Sequence, residues 1–343
     1  MAFFGKRYNQ SPLSIDTFDG SRSPYHPSVK YFPGGWCGYE WWMAQTPFPV
    51  NALPYRDRWE CPQIHVSHDG LHWKPANGAR PIDDLTAEQI ADGDYFSDPH
   101  LVMTPRGMEC WYRLTRRHGT EDKSDVALVR RVSADGLRWS GREEMVRPAV
   151  MPAHPLGDMI VSQAVEYGEA CGEYVMWWVD SETAGQRGVR MSRSADGLAW
   201  CPFTQCAFHG REVNPWHIDV THDSDGTFLL VCYDYRDITL WRSTDGVNWH
   251  YVTLMLVAGL CKGSFYYDLY RASLVDAGPE GWRLYFSASD LRRRYIGVME
   301  GCRPEAMAVV SVDNRPFRTL PGALLKEYLP RAVRSVMFRL RRR

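Results

Sequence analysis

Apolar and aromatic positions along the chain fall in short runs that either alternate with polar positions or are apolar throughout, and Gly, Pro, Asp, Asn or Ser closes each run. Runs of that length and period predict β-strands. Residues 26–32 and 39–44 flank Pro33-Gly34-Gly35 and predict a hairpin; residues 60–66 predict a third strand, and Trp73 begins a fourth. The same succession returns over residues 96–103, 109–114 and 126–129, then over 159–165 and 173–179, then over 216–220 and 227–233. A fifth unit runs through 267–274, 282–287 and 294–299. Residues 84–91, with Thr86 as N-cap, predict a short helical turn on the connection between the first two units.

One stretch makes these units a repeat. Ser67-His68-Asp69-Gly70-Leu71-His72-Trp73 is rewritten at 133–139, 194–200 and 243–249, so that Asp69, Asp135, Asp196 and Asp245 each precede a glycine and the aspartates are 66, 61 and 49 residues apart. In each copy Asp-Gly supplies the positive φ of a tight turn, the serine bonds the turn backbone, and the tryptophan packs back across the hairpin. The fifth unit lacks this turn. Five four-stranded meanders predict an all-β fold, a five-bladed β-propeller with four-stranded blades. The expected organisation is an N-terminal arm over 1–25, the propeller over 26–310 and a tail over 311–343.

Composition narrows the function classes. Hydrophobic residues are 44% and aromatic residues 13% of the 343, with 14 tryptophans, enough for a large core and a surplus of rings suited to sugar stacking. A formal net charge of −1 argues against a general nucleic-acid binder, which needs a basic surface. Nine cysteines without a CxxC pair indicate neither a disulfide framework nor a zinc site. The first residues do not read as a secretory signal, and no segment approaches a membrane span, so a cytoplasmic protein is expected.

The succession His-Pro-Ser-Val at 26–29, Trp-Trp-Met-Ala-Gln-Thr-Pro-Phe-Pro at 41–49, Trp-Glu-Cys-Pro-Gln-Ile at 59–64, Ser-Asp-Pro-His-Leu-Val at 97–102 and Leu-Tyr-Arg-Ala-Ser at 269–273 resembles the five-bladed propeller glycoside hydrolases of the arabinanase, xylosidase and fructosidase kind. The resemblance covers about residues 24–300 and implies hydrolysis by two carboxylates facing each other across the sugar, with a third that orients or tunes them. Those hydrolases carry a catalytic aspartate on the inner strand of the first blade, where this chain has His26. Their third blade is a common source of a carboxylate, where this chain offers Ser162 and Gln163.

Topology sorts the candidates. The repeated turns share one face and read as structural, so the functional mouth should lie opposite, at the starts of the inner strands and the ends of the second strands. Asp98, Asp219 and Glu60 are the expected acid/base set, each entering one central pit from a different blade. His26, His100, Trp42, Gln163, Trp177, His217, Asp268, Tyr270 and Arg271 are the expected substrate-binding residues. Asp268 is the expected partner of Arg271, whose cation would be costly if left unpaired. The histidines and Asp219 have metal-ligand chemistry, but hydrogen bonding of neutral imidazoles to sugar hydroxyls explains them equally well, so no metal and no cofactor is assigned.

Past residue 320, Leu325, Leu329, Val333, Val336, Met337 and Leu340 recur at helical spacing, opposite Arg331, Arg334, Arg339 and the terminal arginines. This basic amphipathic tail would lie on an anionic membrane surface, or pack on the propeller rim or another subunit. Together these features point to a carbohydrate-active, glycosidase-like protein acting on a carbohydrate or glycolipid, peripheral to the inner face of a membrane, in bacterial surface polysaccharide metabolism. Two other readings stay open: a non-catalytic glycan-binding or polysaccharide-assembly protein, and a glycosyltransferase-like biosynthetic protein.

Overall fold

The computed structural model describes residues 12–49, 60–117, 125–146, 160–181, 187–234, 237–257, 259–261, 264–266, 268–289 and 294–309. The predicted helical tail over 311–343 lies outside them. Five antiparallel sheets stand around an axle. Blade 1 consists of Pro24–Trp36, Tyr39–Pro47, Gln63–Ser67 and Lys74–Pro75; blade 2 of Tyr95–Thr104, Gly107–Arg116, Asp125–Ser133 and Glu143–Val146. Blade 3 consists of Ile160–Gly168, Glu173–Ser181, Arg187–Ser194 and Thr204–Gln205. Blade 4 has His217–His222, Phe228–Tyr233, Asp237–Ser243 and Asn248–Val257, and blade 5 has Asp268–Asp276, Trp282–Ser289, Arg294–Gly301 and Ala308–Val309. Blade 4 departs from the expected four strands: Ala207–His209 runs parallel to its outer strand and makes it five-stranded. The first strand of each blade is innermost and touches the first strands of its two neighbours, closing a ring.

The core is five layers between blades. One apolar cluster fills each gap: blades 1 and 2 around Trp42 and Phe96, blades 2 and 3 around Trp111 and Trp178, blades 3 and 4 around Trp177 and Trp241, blades 4 and 5 around Leu240 and Phe286, and blades 5 and 1 around Tyr285 and Trp41. Leu13 and Ile15 are buried in the last gap, and the Leu13 N–H donates to the Ile296 carbonyl at 2.9 Å. The Phe18 N–H donates to Gln63 Oε1 at 3.0 Å, so the described part of the arm ties blade 5 to blade 1.

The repeated turns show the expected chemistry in a wider loop. In blade 1 the strands last pair at Val66 and Lys74, leaving seven residues between them rather than a two-residue turn. The Gly70 N–H donates to Ser67 Oγ at 2.9 Å, the Leu71 and His72 N–H groups to Asp69 Oδ1 at 2.8 Å each, and Trp73 Nε1 to the Gly70 carbonyl at 3.0 Å. Each glycine, at positive φ, also abuts an aromatic side chain of the preceding blade: Gly136 the ring of Trp42, Gly197 that of Trp111, Gly246 that of Trp177, and Gly70 the hydroxyl of Tyr285 of blade 5. Trp177 Nε1 donates to the Gly246 carbonyl at 2.7 Å. Trp42 and Trp177 are therefore spacers between blades, fully buried, and not the sugar platforms expected from the sequence. The first hairpin also turns later than Pro33-Gly34-Gly35, at Cys37-Gly38, after a register shift between Tyr31 and Trp36. The short helix Ala87–Asp92 is capped as expected, with Thr86 and Gln89 forming a reciprocal capping box.

Candidate active site

The inner strands of blades 1, 2 and 5 bulge at the same place, with register shifts between Tyr25 and Ser28, Ser97 and His100, and Leu269 and Ala272. The extra residues are His26-Pro27, Asp98-Pro99 and Tyr270-Arg271. A proline has no N–H to lose from the ladder, and a bulge re-aims the side chain beside it. Here the bulges turn His26, Asp98 and Tyr270 into the mouth of the axle. His26 and Asp98 sit at φ +53°, and Glu60, at the entrance to the third strand of blade 1, at +57°. Left-handed backbone costs a non-glycine residue about 1–2 kcal/mol and gathers at functional sites. Three of the six such residues among those described share this one pit.

Asp98 is clamped. Arg113 Nη1 donates to its Oδ2 at 3.0 Å and to the Val161 carbonyl at 2.7 Å; Arg271 Nη1 donates to its Oδ1 at 3.4 Å; and Gln163 Nε2 holds its carbonyl at 2.6 Å. His217 Nδ1 lies 3.3 Å from Oδ1. Burial pushes this carboxyl up, but the pull of His217 and His26 when protonated, and of the fixed Arg113 and Arg271 guanidiniums, outweighs it and holds Asp98 well below the usual range; with both imidazoles neutral, the guanidiniums keep it ionised. Arg271, completely buried, thus takes its anion from blade 2; the expected partner Asp268 stands at the rim, within the field of Arg294.

Glu60 responds in the opposite sense. Burial and the charge on Asp98 push its carboxyl well above the ordinary value, against a weaker pull from Arg113 and Arg294, so it carries a proton. Its Oε2 lies 3.7 Å from His26 Nδ1, which is 2.7 Å from Thr46 Oγ1. Burial lowers His26 to about 3 and His217 well below its ordinary value, leaving both imidazoles neutral. Neither ring nitrogen of His217 has a hydrogen-bond partner among the described residues. Tyr270 packs edge-on against His217 at 4.1 Å between centroids, and its hydroxyl accepts from Trp216 Nε1 at 2.8 Å.

Asp219 lies one layer down the axle, two residues beyond His217 on the same strand face. Its Oδ2 accepts the Leu274 N–H at 3.0 Å, a bond from blade 4 to blade 5. Ser28 Oγ accepts from Leu101 N at 2.9 Å, Ser162 Oγ from Ile218 N at 3.4 Å and Ser273 Oγ from Val29 N at 3.0 Å, so Asp219 does in its blade what serines do in three others. Burial raises it to about 6 despite Lys30 and Arg271. His100 Nε2 donates to the Val165 carbonyl at 2.9 Å, so its Nδ1 is the acceptor; it takes Arg271 Nη2 at 3.4 Å and lies 3.5 Å from Asp219 Oδ1.

The structure thus brings His26, Glu60, Asp98, His217 and Tyr270 together, with Gln163 and Arg271 behind Asp98, and His100 and Asp219 beneath. Sequence reasoning missed Arg113 and Arg294. Arg113 was findable, because an arginine within the buried run 110–114 of the second strand of blade 2 requires an anion. Arg294 had no such signal; its Nη1 donates to the Phe48 and Pro49 carbonyls at 3.2 and 3.4 Å, contacts set by a distant loop. Among the described residues, no group of three or more His, Cys, Asp and Glu side chains is placed to hold a metal ion.

No protein-family model and no curated protein matches the sequence. Solved structures do match the fold. An N-acetylgalactosamine deacetylase from F. plautii, in complex with blood group B trisaccharide, aligns with a TM-score of 0.62 at 20% identity over 86% of this chain and 93% of that one. CoXyl43, a GH43 β-xylosidase/α-arabinofuranosidase from a compost microbial metagenome in complex with xylotriose, aligns at 0.60 and 13% over 90% and 98%. A GH43_1 enzyme from Xanthomonas citri complexed with xylotriose aligns at 0.54 and 11% over 92% and 96%. At these identities the likeness is one of architecture, and this chain has the five-bladed β-propeller fold shared by these carbohydrate-active enzymes.

Proposed function

We propose that the chain is a carbohydrate-active hydrolase that works in the hub pit, cleaving or transferring a glycosidic bond with Glu60 as proton donor and Asp98 as the ionised carboxylate. The observation that carries this reading is that two carboxyls in one buried pit are pushed in opposite directions, Glu60 up and Asp98 down. Divergent environments of that kind separate an acid from an anion at one pH. Arg113 and Arg271 would keep Asp98 charged when substrate displaces water, while Asp219, from the layer beneath, would serve as the third, tuning carboxyl. Carbohydrate is the substrate class bound in the neighbouring structures quoted above. Activity of the full chain on a glycan and glycolipid panel, compared with Asp98→Asn and Glu60→Gln, tests the assignment. Unchanged turnover in both variants would end it; binding without turnover in any form would leave a glycan-binding protein.

A second reading is favoured by the imidazoles. With His26 in place of an inner-strand aspartate and Gln163 and Ser162 in blade 3, the pit holds a protonated acid between neutral histidines, a set also suited to hydrolysing an N-acetyl or O-acetyl substituent of a sugar. A neutral imidazole would take the proton from water, and Glu60 would donate to the leaving group. Release of acetate, rather than new reducing ends, separates this reaction from glycoside cleavage. The tail proposal stands on sequence alone: flotation of the full chain with anionic liposomes, against a chain ending near Leu320, decides whether the protein works at a membrane surface on lipid-linked glycans.

A further inference from the structure

Between blades 3 and 4, away from the pit, a cavity of about 1010 Å³ opens on the same side of the propeller. Its walls are the start of the third strand of blade 3, from Arg187, and the connection from Gln205 to Pro215 that delivers the chain to the inner strand of blade 4. That size is at the upper end of small-molecule pockets, about 300–1,000 Å³, and exceeds what a single sugar ring needs.

The lining has a recognisable chemical balance. Arg187 and Arg211 face Glu212 and Asn214, with Phe208 and Val213 supplying apolar surface. Arg211 is already paired with Asp237 Oδ2 at 2.5 Å, so the cavity presents no concentrated positive charge for a phosphate or uronate. Guanidinium, amide and carboxylate side by side instead match neutral sugar hydroxyls, each of which donates and accepts, while apolar faces take the C–H side of the ring. The cavity is also joined to the pit. The Arg187 guanidinium lies 3.9 Å over the ring of Trp216, and the Nε1 of that indole donates to the Tyr270 hydroxyl at 2.8 Å.

We infer that this groove is a distal subsite for neutral sugar residues of the glycan whose reacting residue occupies the hub, linked to the hub through Arg187, Trp216 and Tyr270. The inference rests on the hub being a carbohydrate site. Glu212 is exposed on a connection outside the strands, so replacing it leaves the blades intact, whereas Asn214 Oδ1 accepts the Arg187 N–H at 3.1 Å and holds the wall of the groove.

The test uses the full chain carrying Glu60→Gln to block turnover, titrated calorimetrically with xylotriose, blood group B trisaccharide, their constituent monosaccharides and a trigalacturonate. At least one neutral trisaccharide should bind about tenfold more tightly than its monosaccharide, the ratio of one or two hydrogen bonds. Adding Glu212→Ala should erase that advantage and leave monosaccharide binding unchanged. An advantage that survives Glu212→Ala, no advantage of length, or tighter binding of the trigalacturonate would overturn the subsite while Asp98-dependent monosaccharide binding upheld the hub. Failure of every sugar to bind would overturn both.

Discussion

Replacing Asp98 with asparagine is the sharpest single probe, because it keeps the shape and removes only the charge. Two guanidiniums point at this carboxylate, from 3.0 and 3.4 Å, and the Arg271 side chain is completely inaccessible. Removing one partner of a buried pair costs about 3–5 kcal/mol because the remaining charge is left uncompensated. The asparagine oxygen can still accept one bond, which places the expected loss near the lower figure, ~3 kcal/mol. For a chain of 343 residues, with an unfolding entropy of about 0.7 kcal/mol/K, that corresponds to a fall in Tm of roughly 4 °C. Thermal unfolding by near-ultraviolet circular dichroism measures it, and the double variant Asp98→Asn/Arg271→Met should recover part of the loss, since only Arg113 then remains buried without its anion. Loss of the anion should also lower the Glu60 pKa, because the Asp98 charge helps raise it; carboxyl-labelled NMR reads that directly. A Tm within about 2 °C of the parent, with no recovery in the double variant, would refute the clamp and the ionised state of Asp98.

Other consequences are independent of substrate. Gly136→Ala should cost ~2–5 kcal/mol in chemical denaturation, from left-handed strain and from a methyl overlapping the Trp42 ring. Trp177→Phe should cost about 2 kcal/mol through the lost bond to Gly246 and lost packing, yet leave KM for any sugar unchanged; a raised KM would return Trp177 to the site. Burial lowers His26 to about 3 and His65 to about 4, from an ordinary 6.5. Their contribution is therefore complete above pH 6.5 and is lost as pH falls toward 4, because the unfolded chain takes up protons that the folded one refuses. Asp219, raised to about 6, works the other way, its contribution being complete below 3.8 and lost as pH rises through 6. The urea midpoint should drop between pH 6.5 and 4.5, and less so in His65→Gln; an equal drop in that variant would exclude His65 as a source.

The blade count, the strand order and the chemistry of the repeated turns were readable from the chain, because each depends on residues near one another in sequence. A serine three residues before a glycine bonds that glycine's N–H whatever surrounds it. The face carrying the pit followed from strand direction alone. Distance along the axle and across blades was not readable. Tryptophan beside a strand end looks alike whether it lines a mouth or separates two sheets, and only the neighbouring blade's glycine, pressed against Trp42 or Trp177, decided which. Asp98 and Asp219 likewise had the same standing as acids on inner strands. Tertiary structure placed Asp98 among Arg113, Arg271 and His217, and placed Asp219 against a backbone N–H of the next blade. The reason is electrostatic: a carboxyl's proton affinity depends on charges and burial contributed by segments more than a hundred residues away, and no local pattern encodes them.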